Sequence, residues 1–464
     1  MSIGLQYTGH YLSDVGLAVM EIFLGKEHQE FSQEDIERAA DWLACQYQRK
    51  DMKGYLTIHF LNSGWCNATI SEEKKLDYLE KVLRSYKARP LQDRECVYCR
   101  QPAQFLADRQ HIPLLTGMTT IITSPGGVPG LPVCGYCLMV IQFYPLATLK
   151  CQGKPLFWWT PEPQLLRELT FEYYQELSRL IAGGSEKLAN SSWPRTRLLE
   201  AAEKVLDRYG YDRPLADCIG VHLTNYGAGP DYHQYRIPKE LLEFLVEIRF
   251  ADQEVRESHE AIIKKAWEED KKPAKKGSAI EEPKTGSQRN AYYEALVETF
   301  EDRNWQENIS KIIHRFFVHT KPEEYADNNY ELTAFFLEKV GGMEKQRLDI
   351  IKRIADQIAL DLVIGNNEKK WINDLYFREY KPSRFTGYLI KAQKNLAEKG
   401  KVFTMEDVLT MLDIYSEYDT GAKDFWLVRD LFLIRLLEMV GKHKKEMLDE
   451  IKFEDVSETN NGGK

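Results

Sequence analysis

The chain has 464 residues, of which 43% are apolar, 12% aromatic and 29% charged, and its formal net charge is −9. That length predicts two or three domains with ample core. A wholly disordered chain is excluded, as is a membrane-spanning helix, since no apolar run reaches roughly 18 residues. The acidic balance excludes a chain that is basic overall and leaves only local basic tracts to consider for nucleic acid.

The first 25 residues carry Asp14 and Glu21 and lack a basic start followed by an apolar core, so no secretion signal and a cytoplasmic setting are expected. Without secretion the sequon Asn67-Ala68-Thr69 is accidental. Ser32-Gln33-Glu34-Asp35 opens a predicted helix to about Gln48, because a side-chain oxygen caps orphan N–H groups and acids favour a helix N-terminus. Residues 55–61 (YLTIHFL) are predicted as a buried strand that ends at Asn62-Ser63-Gly64. Ser71-Glu72-Glu73 opens a helix to about Tyr86.

Next come two Cys-x-x-Cys pairs, Cys96/Cys99 and Cys134/Cys137. Each such turn presents two soft thiolates from one knuckle, and two turns supply the four that tetrahedral zinc requires. Gly135 is expected to take a left-handed turn inside its knuckle. A structural Zn2+ is therefore predicted, without an open coordination position for hydrolysis. Two disulfides or a redox pair are the other reading, which a cytosolic chain disfavours. Cys45, Cys66, Cys151 and Cys218 are scattered and read as small core residues, and His111 as a hydrogen-bonding residue. Between the knuckles lie a strand candidate at 118–123 and a glycine-rich loop, Ser124 to Pro132, holding Gly126 and Gly127; residues 138–144 (LMVIQFY) read as a second strand. The knuckles would then sit at the ends of a small sheet.

Residues 165–183 and 196–209 read as helices, 217–223 as a strand leading into the turn Asn225 to Pro230, and 239–270 as one long helical span. The segment 271–290 (KKPAKKGSAIEEPKTGSQRN) has almost no apolar residues and reads as a linker or disordered loop. Beyond it, 291–455 is helical. Leu348, Ile351, Ile354, Ala355, Ile358 and Leu362 share one face, Thr404 starts a helix, and Trp426, Leu427, Leu431, Leu433, Leu436, Leu437 and Val440 form the apolar face of a last long helix. Residues 456–464 read as a disordered tail, and no internal repeat is visible.

The predicted fold is α+β: a mixed domain over 1–270 with a four-cysteine zinc-knuckle module at about 90–145, then a C-terminal α-helical bundle. No Walker loop, His-Glu-x-x-His or Gly-x-Ser-x-Gly elbow occurs, the ten histidines are dispersed, and no catalytic residue is assigned. Residues 369–401 hold nine Lys/Arg against three Asp/Glu, interleaved with Trp371, Tyr376, Phe377, Tyr380, Phe385 and Tyr388. Arg378, Lys381, Arg384, Lys391 and Lys394 are candidates to neutralise phosphates, and the aromatic faces to stack on unpaired bases. A solvated helix face with its aromatics in the core is the equally weighted reading. Asn62, Ser63, Ser124, Gly126, Gly127 and Asn225 sit in turns that let a backbone or a short polar side chain approach nucleic acid.

The paired knuckles, the loop TSPGGVPGLP before the second of them, the segment LTNYGAGPDYHQYRIP and the order of parts carry a resemblance over nearly the whole length. The chain resembles the CXXC–CXXC family of large subunits of type I-B CRISPR Cascade complexes. That resemblance implies a cytoplasmic, non-enzymatic ribonucleoprotein component that sits at the crRNA 5′ end beside the crRNA-bound backbone and 5′-end subunits. It implies recognition of the protospacer-adjacent motif in double-stranded target DNA, support of strand separation and of the displaced single strand, and recruitment of a helicase–nuclease; sequence itself is read by guide pairing. It also suggests a small helical subunit made from the same gene, with Met343 as a start. The alternatives are a zinc-stabilised nuclease and a scaffold that binds only protein.

Overall fold

The computed structural model describes residues 4–60, 63, 71–115, 130–183, 190–210, 213–224, 230–268, 288–302, 305–319, 324, 327–376, 382–412, 425–444 and 446. It is a mixed α+β chain that divides into two compact units, Met1–Val246 with Trp267–Glu301, and Glu247–Ala266 with Asp302–Lys464. The expected linker at 271–290 falls mostly outside the described residues, and the chain passes between units at 246/247, 266/267 and 301/302.

In the first unit α1 (Tyr11–Leu24) is buried on nearly all sides, its carboxylates Asp14 and Glu21 included, and both accept hydrogen bonds there. α2 (Gln33–Tyr47) starts where the sequence predicts, and its cap is reciprocal: Ser32 Oγ accepts the Asp35 N–H while the Asp35 carboxylate accepts the Ser32 N–H at 3.0 Å. Residues 55–59 of the expected strand lie instead in α3 (Lys50–His59). Met52, Tyr55, Leu56 and His59 recur at helical steps and are all buried, so the period is visible once the window reaches back to Met52. α4 (Glu72–Leu83) ends in a 3₁₀ turn at Ser85–Lys87.

Two three-residue strands, β1 (Phe105–Ala107) and β2 (Leu131–Val133), pair antiparallel between the knuckles. The strand candidate at 118–123 lies outside the described residues. The strand expected at 138–144 is helix: α5 (Gly135–Ile141) runs toward a 3₁₀ turn at Tyr144–Ala147. Leu138, Met139, Val140, Ile141, Phe143 and Tyr144 are all buried, and a segment buried on every side shows neither period. α1 packs on α5, on that 3₁₀ turn and on α6 (Pro163–Ala182). A Cβ at Gly16 would lie 1.8 Å from the Val140 carbonyl oxygen, so only glycine permits this helix crossing.

β3 (Leu149–Cys151), β4 (Lys154–Trp159), β5 (Cys218–Thr224) and β6 (Asp231–Ile237) form an antiparallel sheet in that order, and β5 matches the predicted strand at 217–223 within a residue. α6 and α7 (Pro194–Tyr209) match the helices predicted at 165–183 and 196–209, each with proline in its first turn. The long span expected over 239–270 is broken. α8 (Lys239–Glu247) gives way to a 3₁₀ turn, α9 (Gln253–Lys265) restarts after Asp252, and β7 (Trp267–Glu268) pairs with β8 (Arg289–Asn290) before α10 (Ala291–Glu301).

The described residues of the second unit are helical. After α9 come α11 (Trp305–Ile312), α12 (Tyr330–Lys339), α13 (Lys345–Ile358), α14 (Lys370–Tyr376), α15 (Pro382–Ala397), α16 (Met405–Leu412) and α17 (Phe425–His443). α17 packs on α12, α13, α14 and α16. The predicted face from Leu348 to Leu362 is entirely buried, although α13 passes into a π-helical turn at Ala359–Ile364. Thr404 caps α16 reciprocally with Asp407. Trp426 departs from the expected apolar face: it is exposed, and Arg429 sits 4.8 Å from its ring. Met343 is buried just before α13. Among the described residues no helix is long and apolar enough to cross a membrane.

Candidate metal centre

The four predicted cysteines converge. The sulfurs of Cys96, Cys99, Cys134 and Cys137 all lie within 4.8 Å of one another, and all four residues are buried. None is in a disulfide; Cys99 and Cys134 approach to 3.5 Å. Four sulfurs about 2.3 Å from one ion lie roughly 3.8 Å apart, so the spacing fits a tetrahedral thiolate site.

Each knuckle is fixed locally. In the first, Arg100 is left-handed (φ 64) and its N–H bonds the Cys96 carbonyl at 3.0 Å, closing the turn. The Cys96 N–H bonds the Gln101 carbonyl at 2.7 Å, and the Val97 N–H bonds the Pro132 carbonyl of β2 at 3.1 Å. The second knuckle is a helix start: Cys134 follows β2 and caps α5, its sulfur accepting the Cys137 N–H at 3.3 Å. Gly135 is needed for a reason other than the expected left-handed turn, since it is not among the positive-φ residues. A Cβ there would lie 1.9 Å from the Tyr86 nitrogen, so Gly135 lets α5 close on the turn at Ser85–Lys87. Gln104 Oε1 accepts the Gly135 N–H at 2.6 Å. Arg100, Tyr86 and Gln104 are parts of the site that no spacing rule singles out.

Hydrogen bonds from Cys134, Cys137 and Cys99 hold the Cys96 thiol below its ordinary range. The Cys137 thiol is pushed up by Cys134, Cys96 and Cys99, with burial adding to it. Cys99 is likewise held low and Cys134 pushed up, so the tetrad favours thiolates at Cys96 and Cys99 and opposes them at Cys134 and Cys137, and a cation at its centre would remove that opposition. The residues fit a thiophilic ion held by four sulfurs, and a tetrahedral ion so held has no position left for water.

The remaining cysteines divide. Cys151 and Cys218 are buried as expected, Cys45 is exposed against expectation, and Cys66 lies outside the described residues. His111 is buried with its Nδ1 2.8 Å from Asp108 Oδ1. Of the nucleic-acid candidates, Asn62, Ser124, Gly126, Gly127, Asn225, Arg378 and Lys381 lie outside the described residues. Ser63 is buried, so its side chain is not displayed as a base-reading group must be. Arg384, Lys391 and Lys394 are exposed and share the solvent side of α15 at seven- and three-residue steps. Lys391 pairs with Asp374 at 3.6 Å. Trp371, Phe385 and Tyr388 are buried and unavailable to unpaired bases. Set against protein-family models, curated proteins and solved structures, the chain matches none.

Proposed function

We propose that this chain is a non-catalytic large subunit of a type I-B CRISPR Cascade complex, with Zn2+ held by Cys96, Cys99, Cys134 and Cys137 as a structural ion. In this reading it recognises the adjacent motif in duplex DNA, supports strand separation and the displaced strand, and recruits the helicase–nuclease. The second unit serves as a C-terminal helical bundle. The observation that carries the reading is the gathering of two distant Cys-x-x-Cys turns into one buried four-sulfur site, the feature on which the family resemblance rests. A closed thiolate site suits a bracing metal and not a hydrolytic one. The exposed row Arg384, Lys391 and Lys394 supports a path for a DNA backbone, because each cation that meets a phosphate releases counterions.

The test is reconstitution with crRNA and the backbone subunits, reading displaced-strand opening by permanganate reactivity. Opening is expected only with the chain present. Replacing Arg384, Lys391 and Lys394 together by alanine should weaken DNA binding about tenfold and flatten its salt dependence by roughly 2 logarithmic units per decade. Opening that is unchanged without the chain would overturn the reading, and metal-dependent DNA cleavage by the purified chain would favour the nuclease. A short C-terminal product beginning at Met343 in the purified complex would add the small subunit.

A further inference from the structure

A cleft of about 390 Å³ lies in the first unit between the start of α1 and the first knuckle, lined among others by Thr8, His10, Tyr11, Tyr98, Leu114 and Leu131. Its volume falls in the range of small-ligand sites. Three of its walls are rings in contact. His10 stacks on Tyr11 with centroids 4.5 Å apart and planes at 24°, and meets Tyr98 edge-on at 4.8 Å. Tyr232, 41% exposed, continues the row from Tyr11 at 6.0 Å and 30°. Trp371, Phe385 and Tyr388 are buried in their core; His10, Tyr11 and Tyr98 are only half-buried.

The wall is preorganised. Asp14, 3% exposed, accepts the Thr8 N–H at 2.7 Å, the Gly9 N–H at 3.0 Å and the Trp159 indole N–H at 3.2 Å. These bonds hold residues 8–10 in one conformation before anything binds. His10 Nδ1 accepts the Leu12 N–H at 3.3 Å, so the neutral ring carries its proton on Nε2 as a donor. Burial pushes the His10 imidazolium down to about 4, so the ring is neutral near pH 7. None of the described lining residues is Lys, Arg, Asp or Glu.

A row of partly exposed rings, an aliphatic floor, the neutral His10 N–H and no formal charge among the described lining residues suit a flat, neutral ring that accepts a hydrogen bond. We propose that this cleft takes a single unpaired nucleobase, stacked against the His10–Tyr11–Tyr98 cluster, with its phosphate left outside. The choice of a nucleobase rests on the nucleic-acid reading above; the geometry itself asks for a planar neutral ring. An apolar aromatic side chain of a protein partner would use the floor and rings and leave the His10 N–H idle.

The test uses the full chain with two fluorescein-labelled strands of equal length, oligo(dT) and an abasic strand with the same phosphates. Base–aromatic stacking predicts that oligo(dT) binds roughly five- to a hundredfold tighter. Tyr98→Ala should abolish that preference and Tyr98→Phe should keep it, each checked for retained metal. Oligonucleotides carrying 5-iodouracil, irradiated on the wild-type chain, should form adducts on the peptides holding His10, Tyr11 or Tyr98, whatever the variants do. Adducts confined to other peptides would overturn the cleft and leave nucleic-acid binding standing. Equal affinity for the two strands would also overturn it, and would leave the cleft to a protein side chain. Absence of binding to either strand would remove the proposal together with DNA binding by the isolated chain.

Discussion

The segment 91–107 and helix α13 are held in opposite ways. Along 91–107 the buried hydrophobic residues are Cys96, Cys99, Ala103 and Ala107, and the only strand there has three residues. α13 buries Leu348, Ile351, Ile354, Ala355 and Ile358 on one face against α17, and salt bridges run along its edge, where Arg435 holds Asp356 and Glu438. The first segment buries few apolar side chains, so an ion held by its two cysteines would contribute much of its anchoring. The second hides enough surface that its charges set register more than they hold the fold.

The comparison breaks most sharply if metal is taken away. Cys99→Ser should lose the ion and free 91–107, because structural zinc contributes on the order of 10 kcal/mol in isolated zinc peptides. Arg94 and Arg100 are exposed, so trypsin should cut after them in the variant or in chelator and spare the intact holoprotein. α5 is buried by its own apolar residues and should persist. Tryptic maps that are identical with and without metal would show that the sulfurs brace nothing.

The same contrast explains what was legible in the sequence. The four-cysteine cluster was legible because two Cys-x-x-Cys turns are written in local spacing. The α2 and α16 starts were legible because a cap is a contact over three residues. The strand reading of 55–61 misled because its window stops short of Met52, where the helical period begins, and that of 138–144 because a short apolar run buried on all sides carries no period and length does not arbitrate at seven residues. The tract at 369–401 offered cations and rings together, and only tertiary packing shows that Trp371, Phe385 and Tyr388 belong to the core. The contact of His10 with Tyr98, and the closure of Gly135 on Tyr86, bring together residues from distant parts of the chain and had no signal in spacing.

The second half of the comparison is sharpened at Ile351, which is 0% exposed. Ile351→Ala removes buried methyls without touching an ion pair and should lower stability by about 2–5 kcal/mol. Thermal unfolding followed by helical circular dichroism should show this loss, with metal content unchanged. A change below about 0.5 kcal/mol would mean that the apolar face of α13 is not what holds this unit.

A smaller effect separates the first unit's own core from its metal. His59 is 0% exposed, with Nδ1 2.7 Å from the Tyr144 hydroxyl and Nε2 3.4 Å from Thr148 Oγ1. Burial pushes its imidazolium down to about 3. The unfolded chain protonates near 6.5, so between that pH and about 3 the unfolded state binds one proton more than the native state. Stability from His59 is therefore complete above about 6.5 and falls with acid by roughly 1.4 kcal/mol per pH unit. His59→Gln keeps a polar partner for Tyr144 and removes the titration. Urea unfolding of the metal-loaded chain between pH 6 and 5 should then lose about one proton of slope, while acid release of metal from the cysteines remains in both proteins. If the two slopes coincide, His59 takes up its proton in the native state, and the acid sensitivity of this unit belongs to its sulfurs.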